Sequence, residues 1–473
     1  MPSVRGIHWF RNDLRLQDNT ALTALSERVD EWLPIFVLDP RIFSRMNSGQ
    51  PRVRFLLDCL DRLGEELANR GLPLLIRKGR PERVLPKLCQ ETGAGILAFN
   101  EDTTPFAIRR DAAVTRAMAK AGVKVLARSD RVVYRSREIR SLGGGPYSIY
   151  SPYRKTWWRR WSEAPRLSGP ACRLPRAIAG FSRDPVPLAG APKPGSAEAG
   201  TLPTGGAAAG RRRLDRFLQS AVGGYDRDRD IPGVDGTSRL SPYLRFGTIS
   251  VRQSFERALG AAAEDRRLEK GVSKWLDELI WRDFYSGILE EHPRVLRQNF
   301  RSEYDSLEWN EDAEGFEAWC QGRTGFPIVD AGMRQLASTG WMHNRIRMVV
   351  ASFLTKDLLV DWRQGERFFF EQLVDGDPAS NSGGWQWAAS TGTDAQPYFR
   401  IFNPTAQGQR WDPGGRYVRR WVPELRDVPD RYIHTPHAGA PPAGYPPPSV
   451  DHAKRRKVAL ERFRHARSIG ARK

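Results

Sequence analysis

Cysteine is scarce, with four in 473 residues, at positions 59, 89, 172 and 320. Those separations are too wide for a zinc ribbon or a local iron–sulfur motif, so no metal is expected. A large chain with few thiols and no secretory leader in Met1-Pro2-Ser3-Val4-Arg5 reads as a protein of a reducing compartment, the cytoplasm. Long apolar runs are missing too. None reaches the roughly eighteen residues that cross a bilayer, which excludes a spanning helix and leaves no role for a membrane. Acidic residues are outnumbered, 55 against 75 Lys and Arg, for a formal charge of +20. A balance of that sign favours a polyanionic partner held through phosphate contacts and counterion release, nucleic acid first among them.

The length exceeds what one core usually fills, so two domains are expected. Up to residue 130, short apolar runs (Gly6 to Phe10, Trp32 to Leu38, Leu72 to Ile76, Gly95 to Phe99, Val123 to Ala127) read as strands. Between them, Arg52 to Asn69, Pro81 to Gln90 and Ala107 to Ala121 carry helical spacing. Such alternation predicts an α/β domain, a doubly wound parallel sheet, over 1–130. Ligands of such sheets lie at the carboxyl ends of the strands, which places Arg11-Asn12-Asp13 and Asn100-Glu101-Asp102 at a crevice. From Gly143 to about Gly210 the pattern dissolves into Pro, Gly, Ala and Ser, which makes 131–210 a long linker with one aromatic-basic island at Tyr147 to Trp161. Over 211–473 strand signals vanish. Gln253 to Leu259, Val272 to Leu289, Gly315 to Trp319, Asp330 to Ser338, Met342 to Leu358 and Glu366 to Leu373 predict an all-α domain, closed by a basic amphipathic helix from Val450 to Arg467. No internal repeat is visible.

Four segments carry chemistry. Asn381-Ser382-Gly383-Gly384-Trp385-Gln386-Trp387 sets two indoles beside a flexible, amide-bearing turn, a setting for a flat aromatic ring. Spacings of three, four and seven put Trp275, Glu278 and Arg282 on one helix face, with Trp281 adjoining. A third segment, Trp341-Met342-His343-Asn344-Arg345-Ile346-Arg347-Met348, sets Asn344 and Met348 one turn apart; of Arg345 and Arg347, one is free to face a ligand or a phosphate while the other pairs internally with Asp375 or Asp377. Finally Tyr225, Arg229 and Thr237-Ser238-Arg239-Leu240-Ser241-Pro242 form a candidate phosphate cradle, with Ser241 as helix N-cap and Pro242 at the first helical position.

Together with Trp9-Phe10-Arg11-Asn12-Asp13-Leu14-Arg15 and Glu278-Leu279-Ile280-Trp281-Arg282-Asp283-Phe284-Tyr285, these motifs, in this order and nearly end to end, resemble the photolyase/cryptochrome family, in particular class I cyclobutane pyrimidine dimer photolyases. The resemblance implies a helical domain that binds reduced FAD and uses light to split a dimer flipped out of DNA. It puts Tyr225, Thr237, Ser238, Leu240, Ser241, Trp275, Arg282, Arg347, Asp375, Asp377 and Asn381 on the flavin, Asn381 facing N5. Glu278, Trp281, Asn344, Met348 and Trp387 match the dimer pocket, with Glu278 and Asn344 in the chemistry; Arg229, Arg345 and Arg400 match DNA-phosphate contacts. Trp385, Trp362 and Trp309 match a tryptophan chain that photoreduces oxidised flavin from the surface.

Two relatives compete within that family. Signalling cryptochromes of the plant type carry Asp, and of the animal type often Cys, where this chain has Asn381; (6-4) photolyases carry a histidine pair where it has His343-Asn344. A repair enzyme, monomeric and acting on dimer-containing DNA, is therefore expected. For a second, light-harvesting chromophore, Ala107-Ile108 stands where folate binders show Asn-Glu, and Asn100 through Phe106 is more similar to the deazaflavin type.

Overall fold

Five of the six residues of Arg5–Phe10 (β1) are buried, and Glu31–Leu38 (β2) is buried over its six central positions. Strands apolar on both sides form only where both faces of a sheet are covered. In the computed structural model, which describes residues 3–43, 50–169, 173–187, 202–439 and 442–470, these two pair in parallel with Leu75–Lys78 (β3), Ile96–Asn100 (β4) and Lys124–Arg128 (β5) in the order β3-β2-β1-β4-β5. The expected doubly wound sheet is present. One strand is shifted: pairing begins at Leu75 rather than Leu72, because the Leu72 amide closes the preceding helix on the Leu67 carbonyl (3.0 Å) and Pro73 has no N–H to offer. A two-residue strand, Arg176–Ala177 (β6), joins β2 from a segment read as linker.

Helices Thr20–Ser26 (α1), Pro51–Ala68 (α2), Pro81–Thr92 (α3) and Pro105–Lys120 (α4) connect the strands. The latter three lie within two residues of their expected bounds. Helix α1, absent from the sequence reading, is started by Asn19, whose side chain accepts from the Leu22 amide at 3.1 Å.

The linker is less irregular than composition suggested. Its aromatic-basic island is a helix, Tyr150–Glu163 (α5), in which Trp157 is fully buried, stacks on Trp161 (5.7 Å) and meets Phe255 at 4.9 Å. Packing, not helix propensity, decides that segment. A further helix, Ala207–Ser220 (α6), follows Gly206, which has a positive φ of 85° and where a Cβ would lie 2.8 Å from that of Arg62, so no side chain is admitted. Most of the Ala189 to Gly210 stretch lies outside the described residues.

Two compact units divide the chain. One holds Met1–Tyr147, Ser151–Gly223 and Ser238–Glu291, and so includes helices Val251–Glu264 and Glu269–Glu291 (α7). The other holds Ser148–Tyr150, Gly224–Thr237 and His292–Lys473. Its described residues form no strand: Pro327–Thr339 (α8), Asn344–Ser352 (α9), a π-helical turn at Phe353–Asp357, Trp362–Gln372 (α10) and Pro378–Ala389 (α11) surround a core rich in Trp319, Trp362, Phe369 and Trp385, and His452–Gly470 (α12) packs Phe463 and Ala466 into a second cluster with Tyr304 and Leu307. Helix α9 starts two residues later than expected because His343 takes the N-cap, its Nδ1 accepting from the Arg345 amide at 3.2 Å. No described helix is long and apolar enough to cross a membrane.

Candidate functional site

In the first unit, α7 carries Trp275, Glu278, Trp281 and Arg282 at the expected spacing. Trp275 is buried against Phe217 (5.2 Å), Trp281 stacks on Tyr285 (5.4 Å, 29° between planes), and Glu278, Trp281 and Arg282 are half-buried. The Arg282 guanidinium donates to the carbonyls of Arg131 and, at 3.2 Å, Leu244. Helix rotation is locked from behind by Asp283, which accepts from the Val133 and Tyr134 amides (3.0 and 3.3 Å) and the Trp157 indole (3.2 Å). Burial pushes the Asp283 carboxyl up to about 6 despite the neighbouring Arg282 and those donors.

Ser238, Leu240 and Ser241 surround a tight turn in which Arg239 holds a positive φ of 50°. The expected cap is corrected here: helix Ser241–Arg245 begins with Leu240 at the cap position and no side-chain cap bond, so Ser241 and Pro242 are already its first and second residues. The Ser241 hydroxyl is thereby not committed to capping.

Behind the strand ends of this unit, a cavity of about 120 Å³ is lined by Trp9, Arg11, Asn12, Arg110, Arg245 and Phe246, among others. The crevice residues meet as expected: Asn12 donates to Asp102 (3.0 Å), and Asn100 donates to Asp13 (2.7 Å). Arg11 lies over the Trp9 and Phe99 rings (4.6 and 4.8 Å), which meet edge-on, and pairs with Asp111. Burial works against ionised Asp102, but Arg131 at 2.8 Å, the Thr104 amide, Arg245 and Arg11 together hold its carboxyl far below the usual range. Glu101 departs from the expectation by pairing with Arg135 (2.7 Å) instead.

In the second unit, Tyr225 is buried under the Arg229 guanidinium (5.6 Å). The turn before Thr237 needs a glycine, since a Cβ at Gly236 would lie 2.8 Å from that of Asp228. On α9, Asn344 is exposed and Met348 half-buried. Arg347 takes the internal pair the sequence allowed, binding Asp375 (2.9 Å) and the Met342 carbonyl (2.9 Å), but Arg345 is not left free as expected: it pairs with Asp230 (2.9 Å) and lies over the Trp411 ring (4.6 Å). Arg400 is exposed beside Phe399, itself 56% exposed.

The turn expected at Asn381 to Trp387 is instead the helix α11. Asp377 caps it, accepting from the Ala379 and Ser380 amides (both 3.1 Å), Pro378 sets its first turn, and Ser390 ends it in a left-handed conformation (φ 64°). Together these outweigh the roughly 1 kcal/mol that each glycine costs in a helix interior. Gly384 faces open space, consistent with close approach of another group. Asn381 donates both amide hydrogens to Glu366, to its carbonyl (2.9 Å) and to Oε1 (2.7 Å), so its own amide oxygen is the group left to present.

Trp385 is buried edge-on to Phe369 (5.0 Å) and 6.0 Å from Trp319. Trp362 is fully buried, its indole N–H on Asn299 Oδ1 (2.9 Å), and Trp309 is half-buried against Phe463 (6.4 Å). Trp387 is half-buried. Sequence reasoning missed Trp319, whose indole bonds the Val350 carbonyl (3.0 Å) within the same aromatic core; the apolar face of Gly315 to Trp319 was its only signal. Cys59, Cys89 and Cys320 are free thiols, Cys172 lies outside the described residues, and no described His, Cys, Asp or Glu cluster is arranged to hold a metal.

Residues 6–171 match the family described as DNA photolyase, and residues 275–465 match the FAD binding domain of DNA photolyase. The deoxyribodipyrimidine photo-lyase of Halobacterium salinarum is 41% identical over 98% of this chain and 99% of its own. A bacterial class III photolyase structure from Agrobacterium tumefaciens is 35% identical with a TM-score of 0.90, covering 99% of this chain and 98% of its own. An archaeal photolyase from Sulfolobus tokodaii, solved with two FAD molecules, is 33% identical with a TM-score of 0.83, covering 98% of this chain and all (100%) of its own.

Proposed function

The chain belongs to the photolyase/cryptochrome family, and from that premise we propose that it is a deoxyribodipyrimidine photo-lyase, an FAD enzyme that uses light to split cyclobutane pyrimidine dimers in DNA. The observation that carries this reading is near full-length similarity to photo-lyases, combined with a FAD-binding match that contains Asn381 and the Arg347–Asp375 pair.

The residues present fit the cofactor. A buried amide with only its oxygen left to offer suits a ring N–H; a guanidinium fixed by Asp375 and the hydroxyls of Thr237, Ser238 and Ser241 suit polar and phosphate groups. We assign Tyr225, Thr237, Arg347, Asp375, Asp377 and Asn381, and in the first unit Ser238, Leu240, Ser241, Trp275 and Arg282, to holding it. When bound, FAD supplies light absorption and one-electron chemistry.

The remaining roles belong to the chain. Trp281 and Trp387 offer apolar ring faces to a lesion that has left the duplex, at a cost lowered by its poor stacking. Half-buried Glu278 hydrogen-bonds the dimer's carbonyl region and stabilises charge as it develops, with Asn344 and Met348 completing the contact. Arg229, Arg345 and Arg400 meet DNA phosphates. Trp385, Trp362 and Trp309 deliver electrons from the surface to restore the active redox state.

The arginine-rich cavity of the first unit, with ring faces at Trp9 and Phe246, suits a second aromatic chromophore with anionic groups, and we assign it to a deazaflavin-type antenna. A monomer in the cytoplasm, organised as 1–130, 131–210 and 211–473, completes the reading; sedimentation and limited proteolysis test it. The functional test is repair of a defined oligonucleotide: illuminated enzyme restores thymine-dimer DNA and leaves (6-4) lesions untouched. An absorption spectrum before and after denaturation identifies flavin and any second chromophore.

A further inference from the structure

Lys356 is fully buried in the π-helical turn Phe353–Asp357, and no described carboxylate pairs with it. Its amine donates to the Ala389 carbonyl (3.3 Å) and Ser390 Oγ (3.0 Å), at the C-terminal end of α11, and lies 3.4 Å over the ring of Phe463. Carbonyl dipoles and a ring face attract a cation, but they replace water poorly. Burial alone therefore pushes this amine well below the ordinary lysine range. Lys356 is thus a buried group that can be charged or neutral, held by partners that accept either form.

Its position is specific. Phe463 of α12, the ring under the amine, is also the ring against which Trp309 packs, at 6.4 Å. A charge on Nζ consequently lies within about 10 Å of the Trp309 indole, where a unit charge in a medium of effective dielectric near 20 changes an equilibrium on the order of tenfold. The turn residue next to it, Asp357, is turned away, paired with His452 Nδ1 at 2.5 Å, and Arg455 donates to the Asp357 and Leu358 carbonyls. The other titratable groups around Phe463 are the phenols of Tyr304 and of Tyr398, the latter stacked on it at 6.2 Å; Arg462 holds the Glu308 carbonyl and Asn310 on either side of Trp309.

We propose that Lys356, through the charge state of its amine, sets how readily Trp309 gives up an electron. This rests on the tryptophan path of the preceding section. One electron moves from Trp309 to oxidised Trp362, leaving Trp309 one electron short until a thiol in solution, itself oxidised by one electron, refills it. The oxidant that starts the sequence is light-excited oxidised flavin, and no bond forms or breaks at Lys356. A neutral amine lets the hole settle on Trp309; an ammonium opposes it. Lys356 is a positioning residue in this sense, fully buried and acting on Trp309 through its charge alone.

The experiment is the yield of oxidised Trp309 after a flash, followed against pH in the wild type, Lys356→Met and Lys356→Arg, with a parallel NMR titration of the Lys356 Cε signal. The yield is expected to rise with pH through one midpoint, which the NMR signal shares and which lies below that of an ordinary lysine. Lys356→Met should hold the high-pH yield throughout and Lys356→Arg the low-pH yield, about tenfold apart in equilibrium; if the arginine variant does not fold, the methionine variant alone decides. A Lys356→Met profile that still titrates like the wild type, a midpoint that follows His452→Gln instead, or an ordinary lysine midpoint would each overturn the proposal. If Trp309→Phe leaves flavin photoreduction intact, the tryptophan path itself falls and this proposal with it; if Trp309→Phe slows photoreduction while the Lys356 variants match the wild type, only this proposal falls.

Discussion

Asp130, in the first unit, lies between two buried arginines, 2.8 Å from Arg15 and 2.8 Å from Arg252, and Arg252 reaches on to Asp18 at 3.0 Å. Lys356, in the second, is equally buried and has a carbonyl, a hydroxyl and a ring. Paired charges fix backbone segments that the sheet itself does not hold, here the loop after β1 and the start of the helix at Val251. Around the tryptophans, by contrast, the buried polar bonds are neutral, Trp362 on Asn299 and Trp319 on Val350, with Trp385 on Phe369; of the cations that approach, Arg363 over the Trp362 ring at 4.9 Å and Arg462 beside Trp309 are only half-buried. The first arrangement suits geometry that must not change. The second suits a path where charge is to appear for a moment, because each ion that does approach, Arg363 at Trp362 or Lys356 near Trp309, biases it.

The largest effect should come from breaking the paired region. Asp130→Asn leaves two buried arginines under-compensated and is expected to cost about 3–5 kcal/mol in urea unfolding; a loss below about 1 kcal/mol would mean the network is not what holds the unit. Burial opposes ionised Asp130, yet Arg15 and Arg252 depress its carboxyl, so this stabilisation is present at neutral pH and lost on acidification below the ordinary carboxylate range. Next in size is the aromatic region. Trp385→Phe should slow flavin photoreduction by about a hundredfold while repair by chemically pre-reduced enzyme stays within about twofold, and equal loss of both would make Trp385 a packing residue only.

Asp283 provides a smaller test of opposite sign. Its carboxyl is raised to about 6 from an ordinary 3.8, so the folded state holds a proton that the unfolded state releases. The stability it contributes is complete below the unfolded value and lost as pH rises through about 6, on the order of 1–3 kcal/mol. Asp283→Asn should flatten unfolding free energy between pH 4 and about 6; an unchanged slope would place the titration elsewhere. Substrate contacts come next: Trp281→Ala should weaken dimer binding by about 1–3 kcal/mol, the worth of a stacked base, while Glu278→Ala lowers repair yield more than affinity. Smallest of all, Arg345→Ala should reduce the salt slope of DNA binding by about one phosphate contact. An unchanged slope would confine Arg345 to its pair with Asp230.

What could be read from the sequence follows the same division. Buried parallel strands announce themselves as apolar runs, so the sheet was legible apart from β6, too short to show a pattern, and the start of β3, set by Pro73. Helices that owe their existence to caps or to packing were not. Asp377, Pro378 and Ser390 make α11 helical despite Gly383 and Gly384, and Trp157 folds α5 into a region whose composition reads as linker. At the site, the internal pair of Arg347 was legible as one of two options, whereas the pairing of Arg345 was not, because its partner Asp230 is distant in sequence. Lys356 carried no signal at all, because a lysine in an apolar run reads as an exposed residue until the fold buries it.

The most direct measurement is light-dependent repair of an oligonucleotide carrying one cis-syn thymine dimer, with FAD in the purified enzyme reduced beforehand so that the tryptophan path is not needed. Under blue light the dimer should be restored to two thymines, with no restoration in the dark and none of a (6-4) lesion under either condition. Purified, FAD-loaded and pre-reduced enzyme that binds the dimer strand yet leaves it intact under light would contradict the account.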